Sequence, residues 1–156
     1  MSANIAQARA RIAAAIRALV ITHVSPDGDA VGSLLGFGLA LRAAGKDVVF
    51  ACSDAPPDTF RFLPAFDEIT ASPVGDFDLV AVLDISDEGR MGEVGQGRRP
   101  HLLFDHHLTN TGFAEIDFID VQAASTAELV TELLEPLGLP LTQPVAQCLL
   151  TGVVND

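Results

Sequence analysis

Short unbroken apolar runs alternate along this chain with stretches in which apolar residues recur every three to four positions. Ile5, Ala8, Ile12, Ile16 and Leu19 keep helical spacing, which predicts an amphipathic helix leading directly into a short strand at Leu19–Ile21. A second helix is predicted from about Ala30 to Ala44, with Asp29 as its N-cap and Gly45 as its stop. Asp47–Cys52 then reads as a strand, and strand, helix and strand in such close succession form a parallel βαβ unit. Ser53–Pro73 is rich in Pro and Asp and reads as a surface connection with a helical turn, anchored by Phe60-Arg61-Phe62-Leu63-Pro64. Further strands are predicted at Asp78–Leu83, His101–Phe104 and Phe113–Ile119, with Gly89–Gly97 as a glycine-rich loop. Ser125-Thr126-Ala127-Glu128 fits a capping box opening a helix to about Leu137, and Pro144 opens a last helix reaching Val154. The expected architecture is α/β: one three-layer domain over residues 1–156, with a largely parallel five-stranded sheet.

Within the second predicted helix, Gly32, Gly36 and Gly38 each cost up to about 1 kcal/mol relative to alanine. Glycines persist where another backbone comes close, so this face is expected against the sheet beside the functional site. A composition 49% hydrophobic and 19% charged excludes disorder. The net charge of −12 excludes a passive surface for long nucleic acid, which needs clustered Lys and Arg. An acidic protein still handles phosphate where bound cations supply the positive charge locally. No apolar run approaches the ~18 residues of a membrane span. Arg9, Arg11 and Arg17, with no acid before Asp27, resemble a transit peptide superficially, but the helical apolar period favours a docked helix. Cys52 and Cys148 form no CxxC pair and read as small buried residues, which suits a reducing, cytoplasmic compartment.

The chemistry collects where strands end. In open parallel sheets, ligands bind beyond the carboxyl ends of the strands. His23, Asp27 and Asp29 follow the first strand, Asp84 ends the third, and Asp105-His106-His107 ends the fourth. Carboxylate oxygens mixed with imidazole nitrogens, without thiolate, suit Mn²⁺ or Mg²⁺, and less clearly Zn²⁺ or Co²⁺. Two cations ~3.5–4 Å apart would polarise a phosphoryl oxygen and activate water for in-line attack, with Asp84 the natural shared ligand. Gly28 permits the sharp turn that aims Asp27 and Asp29 at different ions. Gly28-x-x-x-Gly32 is neither a dinucleotide fingerprint nor a P-loop. Arg90 is either a phosphate contact or part of a loop-ordering ion pair. Ser33 either faces phosphate or packs beneath the site, and His101 reads as an edge residue.

These segments resemble the four signature motifs of the DHH phosphoesterase superfamily: His23-x-x-Pro26-Asp27-Gly28-Asp29-Ala30-x-Gly32-Ser33, Asp84-x-Ser86, Asp105-His106-His107 and Thr151-Gly152-x-x-x-Asp156. The Pro-Asp-Gly-Asp-Ala form is most similar to the branch of nanoRNases and 3′-phosphoadenosine 5′-phosphate phosphatases. Phe62-Leu63-Pro64, Arg90-x-Gly92, Thr109-Asn110 and Ser125-Thr126-Ala127-Glu128 add to the match. The resemblance implies a hydrolase of short oligoribonucleotides, linear dinucleotides or 3′-phosphoadenosine 5′-phosphate, using two Mn²⁺ ions, with Mg²⁺ or Co²⁺ as substitutes. It implies that His23 and Asp27 hold one ion and Asp29, His106 and Asp156 the other, with Asp84 bridging. His107 would contact the substrate phosphate or protonate the leaving oxygen, Asp105 would orient the imidazoles, and Arg90 and Ser33 are the remaining substrate-side candidates. The family continues past the last motif into a smaller substrate-gripping domain of the DHHA1 type, whereas this sequence stops at Asp156. A truncated or cleaved form is therefore expected, binding metal but turning over weakly or not at all, with a homodimer possible for the full-length form. Alternatives are a manganese pyrophosphatase, against which Gly28 leans, or an exopolyphosphatase, and a non-catalytic sensor of metal or cyclic dinucleotide.

Overall fold

A computed structural model describes residues 2–155. Its elements run α1 (Ser2–Ala14), β1 (Arg17–Ile21), α2 (Gly28–Ala43), β2 (Asp47–Ala51), β3 (Leu79–Leu83), β4 (Leu102–Asp105), β5 (Ile116–Ile119), α3 (Thr126–Leu134) and α4 (Gln143–Val154). The five strands form one parallel sheet in the order β2-β1-β3-β4-β5. The chain leaves β1 outward to β2 and returns to β3 on the other side of β1. The connections therefore diverge between the ends of β1 and β3, which is where an open sheet offers its crevice.

Strand composition follows from burial on both faces. All five residues of β3, Leu-Val-Ala-Val-Leu, are buried, as parallel strands covered on both sides require. On one face Val20, Ala81, Leu83, Phe104 and Phe118 join the helices in the larger core. On the other, Leu19, Ile21, Val80, Val82 and Leu103 meet Met91 and Val94. That second layer is a 3₁₀-helical segment, Glu88–Gly95, broken at Gly92 with φ 68°. The sequence pattern treats this region as a plain glycine-rich loop. Its two apolar residues, Met91 and Val94, fall three apart and seal the sheet instead.

Several boundaries differ from the sequence expectation. Helix α1 stops at Ala14, and Ile16 is 76% exposed rather than part of a helical stripe. The backbone N–H groups of Ile16 and Arg17 donate to the Asp78 carboxylate at 2.9 Å, turning the chain into β1. Helix α2 starts two residues earlier than predicted, because Asp27, not Asp29, is its N-cap, accepting from the Ala30 N–H at 2.9 Å. The fifth strand is confined to Ile116–Ile119, since Asp117 accepts from the Phe113 and Ala114 N–H groups and folds that stretch into a turn. Helix α3 ends at Leu134 rather than near Leu137. Ser125 does cap α3, its Oγ accepting from the Glu128 N–H at 3.0 Å.

The glycine face of α2 meets α4 rather than the sheet. A Cβ at Gly32 would lie 2.6 Å from the Cys148 carbonyl oxygen and 2.7 Å from the Gly152 nitrogen, and one at Gly36 would lie 2.5 Å from Leu149 Cδ2. Gly38 alone faces the sheet, against Phe50 of β2. Two helix backbones are thus nearly in contact, bringing the end of α4 beside the start of α2, where the acidic turn lies.

Candidate metal centre

Every local feature of the β1–α2 turn places acceptor atoms at the sheet's carboxyl edge. His23 leaves β1 with its ring 7% exposed, and its Nδ1 lies 2.6 Å from the Val24 carbonyl oxygen. At that distance Nδ1 carries the proton and donates to the carbonyl, leaving the Nε2 lone pair facing inward. Arg90 Nη2 lies 3.3 Å from the same Nδ1, but a nitrogen already donating cannot also accept, so this contact is proximity without a hydrogen bond. His23 Nε2 lies 3.5 Å from Asp84 Oδ2 and 3.9 Å from Asp27 Oδ1. Burial pushes the His23 pKa down, but the Asp84 hydrogen bond, the Val24 carbonyl and the Asp84 and Asp27 charges outweigh it, so the net shift is upward.

Asp84 is the hub. It follows β3 with φ 64°, a left-handed conformation rare for a side chain other than glycine, and its N–H still bonds the Phe104 carbonyl at 2.8 Å. That strained backbone turns the carboxylate back over the strand ends. Thr126 Oγ1 donates to Asp84 Oδ1 at 2.8 Å, orienting the group and leaving Oδ2 toward His23.

A second cluster lies across Asp84. His106 Nε2 is 3.5 Å from Asp29 Oδ2 and 3.8 Å from Asp84 Oδ1, while its Nδ1 sits 3.3 Å from the Ala123 carbonyl oxygen. Asp29 is fully buried, accepting from the backbone N–H groups of Thr126 and Ala127 at 2.9 Å each and from Ser33 Oγ at 3.2 Å. Those two N–H groups open α3, so the helix's positive end faces this carboxylate. His107 is bound through Nδ1 to Asp105 Oδ1 at 2.6 Å, with its own side chain 45% exposed. The second oxygen of buried Asp105 accepts from Asn110 Nδ2 at 2.7 Å, and Asn110 also reaches the Ile85 carbonyl.

Two groups of side chains thus offer ligand atoms that lie mutually within 4.8 Å: His23 with Asp27 and Asp84, and Asp84 with His106 and His107. Asp84 belongs to both, and Asp29 adjoins the second through His106. Oxygen and imidazole donors, with the Nδ1 atoms of His23 and His106 against backbone carbonyls and that of His107 against Asp105, form a donor set that fits divalent cations. Asp156 lies outside the described residues. Ser33 is fully buried, its Oγ donating to Asp29 Oδ1 at 3.2 Å. Arg90 is exposed at the rim. His101 is half-buried, its Nδ1 accepting from the Val80 N–H at 2.9 Å, a structural role within the sheet. Sequence reasoning missed Thr126, which is legible only as part of a capping box and whose hydroxyl turns out to hold Asp84.

With this fold and site in place, residues 17–153 match the DHH family, N-terminal domain, and the chain belongs to that family. The bifunctional oligoribonuclease and PAP phosphatase NrnA of Thermus thermophilus is 38% identical over 142 residues, covering 88% of this chain and 42% of that protein. Its counterpart in Bacillus subtilis is 27% identical over 138 residues, covering 86% and 44% respectively. Among solved structures, an exopolyphosphatase-related protein from Bacteroides fragilis superposes with a TM-score of 0.91 at 27% identity, over 99% of this chain and 50% of that one. The chain therefore spans less than half the length of these curated relatives.

Proposed function

We propose that this chain is the metal-binding half of a phosphoesterase that hydrolyses short oligoribonucleotides, linear dinucleotides or 3′-phosphoadenosine 5′-phosphate, with two divalent cations, Mn²⁺ the first choice. The observation that carries the reading is the sharing of Asp84 between two ligand clusters. His23 and Asp27 would hold one ion, Asp29 and His106 the other, with Asp156 as a further candidate and Asp84 between them. When bound, such ions supply an activated water and stabilise charge on the phosphoryl oxygens. His107, oriented by Asp105, presents its exposed ring as the group that contacts the phosphate or hands a proton to the leaving oxygen. Buried Asp105, held in turn by Asn110, keeps that ring in place.

A second reading, hydrolysis of pyrophosphate or polyphosphate, draws on the exopolyphosphatase-related structure to which the fold is so similar. One titration tests the metal centre: Mn²⁺ should raise the thermal midpoint as its concentration passes the dissociation constant, and Asp84→Ala should abolish the rise. Incubation with pApA and with pyrophosphate in Mn²⁺ separates the rest. An ester hydrolase releases AMP from pApA, a polyphosphate enzyme releases orthophosphate from pyrophosphate, and a sensor binds nucleotide with no product.

A further inference from the structure

Beside the metal centre, the segment after Asp84 and the segment after His107 form the two walls of a groove of about 490 Å³. Ser86 and Arg90 line one wall, and Thr109, Thr111 and Phe113 the other. The walls are tied together at their base, because Asn110 Nδ2 donates both to the Ile85 carbonyl at 2.9 Å and to Asp105 Oδ2 at 2.7 Å. A turn in which the Gly112 N–H bonds Asn110 Oδ1 at 2.8 Å fixes the outer end of the second wall. Arg90 joins groove to metal centre, since its Nη2 lies 3.3 Å from the His23 ring. The volume falls in the range of small-ligand sites, about 300–1,000 Å³. Its lining combines three hydroxyls and one aromatic ring with Asp87 and Glu88 on the same wall as Arg90. Two carboxylates against one guanidinium make a poor home for another phosphate. Neutral hydroxyl and aromatic surface suits a sugar and a base.

Building on the proposed phosphoesterase reading, we infer that this groove is a nucleoside subsite: it receives the sugar and base attached to the reacting phosphate, and its acidic wall disfavours the further phosphate of a pyrophosphate or polyphosphate. The groove then selects a nucleotide ester over a phosphate chain at the same metal centre.

Calorimetric titration of this chain in Mn²⁺ with AMP, methyl phosphate and pyrophosphate tests the assignment. AMP should bind at least about tenfold more tightly than methyl phosphate, which has the phosphate but no nucleoside. Thr109→Val combined with Thr111→Val, at two exposed positions, should remove most of that advantage and leave methyl phosphate and Mn²⁺ affinity unchanged. Glu88→Gln should raise pyrophosphate affinity several-fold and leave AMP where it was. Equal binding of AMP and methyl phosphate, or threonine variants that weaken both alike, overturns the subsite while leaving the metal centre intact. Absence of any Mn²⁺-dependent binding of methyl phosphate overturns the metal-centre reading and the subsite with it.

Discussion

The two ligand clusters that share Asp84 are built by different means. His23 and Asp27 come from one tight turn: the imidazole follows closely on β1, and the carboxylate four residues later caps the helix that begins at Gly28. The other cluster is assembled from a distance. Asp29 is held by backbone N–H groups 97 and 98 residues away in the chain, and His106 by the carbonyl of Ala123. The His23–Asp27 pair should therefore depend less on α3, whereas the second cluster should form only when α3 has docked. On the proposed two-ion reading, a site with one locally encoded half and one assembled half should bind the two ions with different sensitivity to the fold.

Removing the shared ligand should erase that contrast altogether. Asp84→Ala should abolish binding of both ions by calorimetry, and any turnover should fall by at least about 10³-fold; retention of one ion at wild-type affinity would show that the clusters do not share this carboxylate. Asp29→Asn should split them, because an amide offers one acceptor where two backbone N–H groups need two. We expect a loss of about 2–3 kcal/mol in stability, and Mn²⁺ stoichiometry reduced from two ions to one. Equal weakening of both ions would contradict the split.

Gly32→Ala acts on the scaffold beneath the same contrast. Its methyl group would meet the Cys148 carbonyl and Gly152 backbone, neither of which can rotate away. Denaturant unfolding should show about 1–3 kcal/mol of destabilisation, and the ion held by Asp29 and His106 should weaken more than the ion at His23.

The smallest effect is that of pH. His23 has a pKa raised above its ordinary 6.5, so the protonated ring stabilises the metal-free fold fully below the unfolded value, and that stabilisation is lost as pH rises through the folded value. Mn²⁺ must displace this proton. Its affinity at the His23 cluster should drop about tenfold per pH unit below the raised pKa, and the Mn²⁺-induced rise in midpoint should grow with pH. A pH-independent rise between mildly acidic and neutral solution would remove His23 from the ligand set.

Much of the first cluster was legible from local pattern, because strand, turn and helix there are contiguous. Asp27 and Asp29 nevertheless exchanged parts: either can cap a helix by sequence alone, and only the docking of α3 decides which one is taken by it. The glycines of α2 announced a close approach without naming the partner, since a missing Cβ carries no information about what fills its place. Met91 and Val94 sat in a glycine-rich stretch too short for a period to emerge, so the layer covering the second face of the sheet went unread.

The order of apolar runs, the acidic and imidazole residues at strand ends and the capping signals were determined by the sequence alone, because each depends on neighbours within a few positions. Tertiary structure alone decided that Asp84 faces both clusters, that Thr126 orients it, and that α4 rather than the sheet lies along the glycines. Those outcomes depend on contacts between residues tens of positions apart, for which a linear pattern holds no distance.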